Sequence, residues 1–577
     1  MLTQDVSFLK STYRKALIPC MLSILAGYLN ILADGILVGQ YIGIKGLAAI
    51  NLCVPLYLLL CVIGSFWVSG TAISASEEIG KNNLEKAQLY YGSCLSLCFI
   101  SSIVATIIGI LTLPTMASAL SADEEIRSMI QAYAGVTIVG ALPKILIYIP
   151  LWYLRLEGKN KSVTIMMVIL GVGNVVLDLF FLKELNMGVF GVSLASVIAT
   201  VAADIFGFIR IHTAPSSFKL RFAFLNVFDD WKKIYSAGSP AALNNLFQTI
   251  RIIVVNIFLN SLGGSVMVAT FTAVNGIAAF AEAVTVGVPN AGIAMLGVFH
   301  GEHDNESSKI ILQREWWDGL VCTIAFGAII ILCADLIRDA YALNGVSLFF
   351  PMICLAVSLV LGLWNNILIS FYSVSKHPEL SNELIFGRVL FFAILSLIFC
   401  RNFNMNIWLF LPLSEAFTLI FWIFASAIIS KRKDNITRFL LLDTTLQKSG
   451  KVTDFALTNS LEEICNASER ISDFCNENGM DKKEYMIIRL SMEELMRLIT
   501  KVNGETSVSF AIRVFALTEV VGIRIRYNGM DFDPIHSERY EAEEFMGIRM
   551  IEKLVKKIVY YKVFGSNTLL ILIRGSK

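Results

Sequence analysis

Charge is what this 577-residue chain has least of: 16% of its residues are Asp, Glu, Lys or Arg, against 56% hydrophobic, and the mean hydropathy is +0.67. Ordinary soluble domains carry about 25% charged and about 45–50% apolar residues, so the composition excludes a soluble globular protein and a disordered chain. No Lys/Arg-rich block and no acidic tail stands out, and the net charge is +1, which leaves recognition of nucleic acid nothing to rest on. Nine of the eleven cysteines lie within apolar runs, and Cys465 and Cys475 lack C-x-x-C spacing. That pattern excludes a disulfide scaffold and reads as small buried hydrophobes in a reducing compartment. The first apolar run lacks a small-residue cleavage site and is followed by many more, so it reads as a retained anchor.

The scarce charge is unevenly placed. Residues 1–433 hold 52 charged residues (12%), whereas residues 434–577 hold 41 (28%). A membrane part and a soluble part therefore share one chain. A spanning helix needs about 20 mostly apolar residues. Twelve segments qualify: 14–38, 47–75, 88–113, 129–153, 162–182, 188–210, 234–261, 267–299, 315–337, 344–374, 384–402 and 406–430. Twenty Lys and Arg, Arg388 among them, fall in one set of connecting loops and only five (Lys45, Arg127, Lys183, Arg338, Arg401) in the other. The positive-inside rule then predicts both termini on the cytoplasmic side of the cell membrane.

The two halves resemble each other at a period near 220 residues. Gly80 and Gly301 each end a long Gly/Ala/Ser-rich segment, and Leu262-Gly263-Gly264-Ser265 precedes the eighth segment much as Ile42-Gly43-Ile44-Lys45 precedes the second. Six spans followed by six in the same orientation is the parallel-repeat plan of a transporter, with a site between the halves. The predicted organisation is an N-terminal six-helix lobe (1–220), a C-terminal six-helix lobe (221–433), a linker (434–450) and a cytoplasmic α/β sandwich (451–577).

Ionisable residues inside spans are expensive, at least about 2.5–3.5 kcal/mol each on insertion scales, and usually face a cavity or a partner. Asp34 and Asp178 are the informative ones, and Asn174 precedes Asp178 by four residues, on the same helical face. Such a group either coordinates Na⁺ through oxygen or shares a proton. Arg251, Glu282 and Glu415 are further intramembrane charges; Arg251 and Glu282 line a cavity or neutralise each other. Asn244, Asn245, Gln248, Asn365 and Asn366 either line a cavity or make polar helix-packing contacts.

At these residues the chain resembles the multidrug and toxic compound extrusion (MATE) family, over residues 10–430. The marks are Ala33-Asp34-Gly35-Ile36-Leu37-Val38-Gly39, Gly46-Leu47-Ala48-Ala49-Ile50 with Pro55, Leu154-Arg155-Leu156-Glu157-Gly158-Lys159, Gly173-Asn174-Val175-Val176-Leu177-Asp178 and Gly188-Val189-Phe190-Gly191 through Val197. The resemblance implies a V-shaped pair of six-helix lobes that exports small organic, cationic compounds in exchange for Na⁺ or H⁺. It also implies a coupling site of Asp34, Asn174 and Asp178, with Ser196 where the family often has Thr. The C-terminal lobe's counterpart of Leu154–Lys159 reads Phe371-Tyr372-Ser373-Val374-Ser375-Lys376 and has lost its Arg and Gly.

Beyond residue 450 the pattern changes. Val508–Phe515 and Val520–Arg526 alternate as strands do, and 461–478, 482–500 and 544–559 have helical spacing. Ser491–Met496, Ile525–Pro534 and Gly547-Ile548-Arg549-Met550-Ile551 resemble the histidine-kinase-type ATP-binding domain, in its anti-sigma-factor kinase branch. Glu494, Gly529 and Gly547 occupy nucleotide-site positions. The magnesium-ligating Asn is replaced by Leu498, or by Arg497 when counted from Glu493, the adenine-reading Asp by Tyr527 and a lid Gly by Phe545. The expectation is a regulatory or protein-interaction domain without productive ATP chemistry, hence a transporter rather than an enzyme, with no cofactor beyond the coupling ion. The alternatives are a lipid-precursor flippase of the same superfamily, or a membrane sensor with a kinase-like output domain.

Overall fold

The structure is a computed structural model. It describes all residues except 1–2, 43, 82, 121–123, 214–217, 226–227, 303, 341–345, 376–377, 433–435, 443–450, 459, 505–507, 518–520, 531, 536–545, 564–565 and 575–577. Side chains are described apart from those residues and 3–8, 26–36, 39–40, 44–45, 47–48, 51, 249, 260, 263–266, 268–269, 272, 340, 378, 432, 461–462, 464–465, 563 and 574.

Apolar runs of this length leave the backbone one way to satisfy its own hydrogen bonds in a bilayer, and the described spans are helical. The first half comprises α1 (Thr3–Tyr41), α2 (Ile44–Gly80), α3 (Leu84–Leu120), α4 (Glu124–Val139), α5 (Ala141–Leu146), α6 (Tyr148–Leu156), α7 (Asn160–Leu179) and α8 (Gly188–His212). The second comprises α9 (Phe228–Thr285), α10 (Gly287–Gly301), α11 (Asn305–Leu332), α12 (Ala334–Ala340), α13 (Phe349–Val374), α14 (Pro378–Ile385), α15 (Phe392–Asn402) and α16 (Phe410–Arg432). Among the described residues ten helices are long and apolar enough to cross a membrane, or eleven if α4 and the α5–α6 segment, bent by 60°, count as one span. Pro143, which has no amide hydrogen to give the helix, sits just past that bend, and Gly140 lies at it. A Cβ there would come within 2.3 Å of Val197 Cγ2. The expected first span lies within α1, partly outside the described side chains.

Details of the membrane helices differ from the sequence reading. The expected break at Leu262–Ser265 is absent: α9 runs through it as 58 residues that contain the seventh span and the first part of the eighth. The two stretches still lie side by side, because Gln248 and Arg251 line the same cavity as Asn275 and Glu282. Arg388 is not a loop residue. It sits in a π-helical turn, Phe386–Phe391, between α14 and α15 inside the span Glu379–Asn402.

α2 forms the seam between the halves, packing along α9 and α10 as well as α3. At its end the two repeat-related glycines meet. A Cβ on Gly80 would lie 2.2 Å from the Val298 carbonyl oxygen and 2.9 Å from Gly301 Cα, and one on Gly301 would lie 2.2 Å from the Glu77 carbonyl oxygen. Only glycine permits this backbone-on-backbone crossing.

The C-terminal part is a five-stranded antiparallel sheet, β1 (Val452–Thr458), β2 (Ser509–Ala516), β3 (Val521–Tyr527), β4 (Lys557–Val563) and β5 (Ser566–Arg574), in the order β1-β2-β3-β5-β4. Helices α17 (Leu461–Glu477), α18 (Lys482–Asn503) and α19 (Met546–Leu554) accompany it. Ile488, Met492, Leu495 and Ile499 of α18 pack on Phe510, Ile512, Ile523 and Ile525, giving this part its own core. Asp481 and Glu484 form a capping box that starts α18. The third predicted helix, 544–559, is too long: α19 ends at Leu554, and Lys557-Ile558-Val559-Tyr560-Tyr561 is a β-branched and aromatic strand instead.

The sheet's other face is also covered. Arg524 and Arg526 of β3 point to that side, and Arg513 of β2 is paired directly with Arg524. Tyr561 and Leu570 join an apolar cluster with Val68, Ala72, Tyr91 and Val298 of the membrane helices. The C-terminal domain is thus seated on one end of the helical body.

Candidate transport cavity and coupling site

In the first lobe, α7 lies against α1 and α8. Asn174 and Asp178 are fully buried there, and Asn174 Nδ2 donates to Asp178 Oδ2 at 2.9 Å. The i, i+4 spacing therefore does bring the carboxamide onto the carboxylate. Asp34 is helical, but its side chain lies outside the described residues. Ser196 is half-buried on α8, where its carbonyl accepts from Thr200 Oγ1 at 2.6 Å. Nearby, Thr137 and Ser193 share a buried hydroxyl–hydroxyl contact of 2.9 Å, and Ser193 donates to the Tyr133 carbonyl.

Between the lobes lies a cavity of about 330 Å³, walled by α1, α2, α6 and α7 on one side and by α9, α10, α13 and α14 on the other. Its polar lining includes Ser23, Ser65, Ser69, Asn244, Asn245 and Asn290, and Tyr148 and Trp152 also line it. Arg155 is the one charged residue among its described liners.

A second space of about 100 Å³ opens within the C-terminal lobe and is lined by Gln248, Arg251, Glu282, Arg388 and Glu415. The main ion pair is not Arg251–Glu282 but Arg388–Glu415: Arg388 Nε donates to Glu415 Oε1 at 2.9 Å and to Oε2 at 2.7 Å. Arg251 lies within the electrostatic reach of Glu415 and Glu282. The asparagines divide. Asn365 Nδ2 donates to Glu415 Oε2 at 2.6 Å as a fully buried packing contact, whereas Asn366, which accepts from Arg388 Nη1 at 2.6 Å, and Asn244 line both cavities.

Asp204 and Glu315 are buried acids that the sequence reading does not mark. Asp204 in α8 has one carboxylate oxygen without a partner among the described residues, and Glu315 in α11 has both. The signal that pointed to Asp178, a carboxylate in an apolar run, was present at Asp204. Glu315 opened a predicted span and read as its boundary.

The contact between the soluble domain and the membrane part is ionic at its centre. Arg526 Nη2 donates to Glu302 Oε1 at 2.9 Å, and Arg524 donates to Glu302 Oε2. Arg513 Nη1 donates to the Glu302 carbonyl at 2.7 Å, pairs with Asp304 at 3.1 Å and chelates Asp454 at 2.7 and 2.8 Å. Burial alone would raise the Asp304 carboxyl, but Arg513, Arg524 and the Ser307 hydrogen bonds outweigh it and hold it below the usual carboxylate range. Glu302 and Asp304 lie just past the Gly80–Gly301 crossing, at the corner between α10 and α11.

Among the described residues, protein groups crowd the positions that the sequence resemblance marks for a nucleotide. Glu494 Oε2 accepts from Arg497 Nη2 at 2.8 Å and would lie 2.2 Å from a Cβ on Gly547. Tyr527 is buried in the domain core and donates to the Phe532 carbonyl at 2.9 Å, and Leu498 is buried. Gly529 (φ +128°) abuts Asn503, whose Oδ1 accepts from the Met530 amide. Phe545 lies outside the described residues. A carboxylate pressed on Gly547, with no ligating Asn, does not fit a magnesium-bound triphosphate.

Comparison with known proteins agrees with the fold. The MatE family model matches residues 19–180 and 240–353. Over 299 residues the chain is 24% identical to Probable multidrug resistance protein YoeA of Bacillus subtilis, covering 50% of this chain and 64% of that one. Over 243 residues it is 24% identical to the FAD transporter of Shewanella oneidensis, covering 41% and 54%. The chain thus spans less than two thirds of the length of each of these relatives. A multidrug-resistance MATE transporter solved in an outward-facing conformation superposes with a TM-score of 0.67 at 22% identity, covering 73% of this chain and 96% of that one. Family model, relatives and solved structure converge on a single conclusion, that the membrane part of this chain has the fold of a MATE-family transporter.

Proposed function

We propose that the chain is a twelve-span secondary active efflux transporter, exchanging a small organic compound for Na⁺ or H⁺, with both termini cytoplasmic. The observation that carries this reading is the cavity between the two halves of the membrane part, paired with a buried carboxamide–carboxylate site in the first of them. Asp34, Asn174, Asp178 and Ser196 are its coupling residues, with protonation or Na⁺ binding biasing the exchange between outward and inward states. No step of this cycle needs an enzyme's chemistry. The experiment is gradient-driven uptake of dyes into proteoliposomes holding the purified full chain. Uptake that needs no imposed Na⁺ or H⁺ gradient would contradict the reading.

The C-terminal domain, derived on this reading from a histidine-kinase-type ATP-binding fold, is regulatory and does not turn over ATP. The buried Arg513–Arg524–Arg526 face on Glu302 and Asp304 supports this, because it holds the domain against the end of α10 where the two halves cross. Separation of the halves at that end requires the domain to move, so a cytoplasmic protein that competes for the arginine face would release it.

A further inference from the structure

The interlobe cavity says something about the cargo. Arg155, at the end of α6, is 7% exposed. Among the described residues its guanidinium has one hydrogen bond, Nη2 to Ser23 Oγ at 2.9 Å, while its Nε is buried with none. No described carboxylate lies within ion-pair distance of it; Glu157, two residues on, pairs with Lys159 at 2.7 Å. A buried, unneutralised guanidinium is expensive, and removing the cost takes a carboxylate or phosphate that accepts from its fork of donors. The adjoining space offers no counter-charge to spare, since Arg251 and Arg388 balance Glu282 and Glu415. Trp152 and Tyr148 flank the same cavity, and a volume of about 330 Å³ suits one compact organic molecule.

We propose that the cargo is an aromatic organic anion whose carboxylate or phosphate pairs with Arg155 while its ring lies against Trp152 and Tyr148. This rests on the transporter reading above and replaces the cationic cargo that the sequence resemblance implies. The test uses the purified full chain with two dyes, carboxyfluorescein (anionic) and ethidium (cationic), by equilibrium dialysis in detergent and by flux in proteoliposomes. The parent should bind carboxyfluorescein in preference to ethidium. Arg155→Gln should weaken that binding about tenfold or more, and Arg155→Lys, which keeps the charge but not the fork, by less. Thermal melts identify any variant that fails to fold, in which case the parent's preference and Arg155→Lys decide. A parent that binds carboxyfluorescein no better than ethidium, or an Arg155→Gln protein that binds it as the parent does, overturns the proposal. Binding of carboxyfluorescein without gradient-driven flux of either dye would instead sink the transporter reading and leave the Arg155 site standing.

Discussion

Replacing Glu302 by Gln removes one negative charge from beneath two arginines while nearly preserving shape. Arg524 and Arg526 are 5% and 2% exposed, and Arg513, directly opposite Arg524 in the sheet, adds a like charge that is tolerable only with acids beneath. Breaking a buried ion pair by deleting one partner costs about 3–5 kcal/mol. At about 1.4 kcal/mol per decade that shifts the docked-to-undocked ratio by roughly two to three and a half orders of magnitude. The reporter is Tyr561, buried against the membrane helices. Hydroxyl-radical footprinting of the full chain in nanodiscs should show Tyr561 protected in the parent and modified in Glu302→Gln, with partial restoration in a Glu302→Lys, Arg524→Glu double variant. Equal protection in parent and Glu302→Gln would refute the ionic dock. Acid should be a weak substitute for the mutation. Asp304 is held below the ordinary carboxylate value of about 3.9, so its contribution to docking is fully present above that pH and fades only as pH falls through the lower docked value.

Other consequences follow from the same geometry. Gly80→Ala and Gly301→Ala each drive a Cβ into a facing carbonyl oxygen; each should cost about 1–3 kcal/mol, read as a lower melting temperature, whereas unchanged melting would contradict the crossing. Glu415→Gln leaves Arg388 buried without its carboxylate and should destabilise by about 3–5 kcal/mol, while the double variant Glu415→Leu, Arg388→Met should be milder than either single change; additive losses in a thermal or denaturant series would argue against the pairing. Isothermal titration of ATP with Mg²⁺ into the full chain should give no magnesium-dependent tight binding. A tight, magnesium-dependent isotherm would overturn the regulatory reading of Glu494 and Gly547.

What the sequence made legible was local. Long apolar runs announced the helices, four-residue spacing put Asn174 on Asp178, and amphipathic spacing marked α17 and α18 within a few residues. What stayed hidden depended on contacts between distant segments. Nothing near Arg388 names Glu415 as its partner, and nothing in β3 names Glu302, more than 200 residues earlier. The arginines at 524 and 526 did leave a trace: alternate positions of a strand whose other face is apolar would ordinarily face water, yet the whole strand is buried. The helix that became β4 was misjudged because the apolar spacing of Ile548, Ile551 and Val555 runs on into Ile558 without a Gly or Pro to mark the change.

The central claim is that cation binding at the buried first-lobe site drives transport. The most direct measurement is cation uptake by proteoliposomes on addition of cargo, followed with ²²Na⁺ and with a pH-sensitive dye, for the parent and for Asp178→Asn and Asp34→Asn. The account predicts cargo-dependent uptake of one of the two cations by the parent and its loss in both variants. Parent-like coupled uptake in both variants would contradict it.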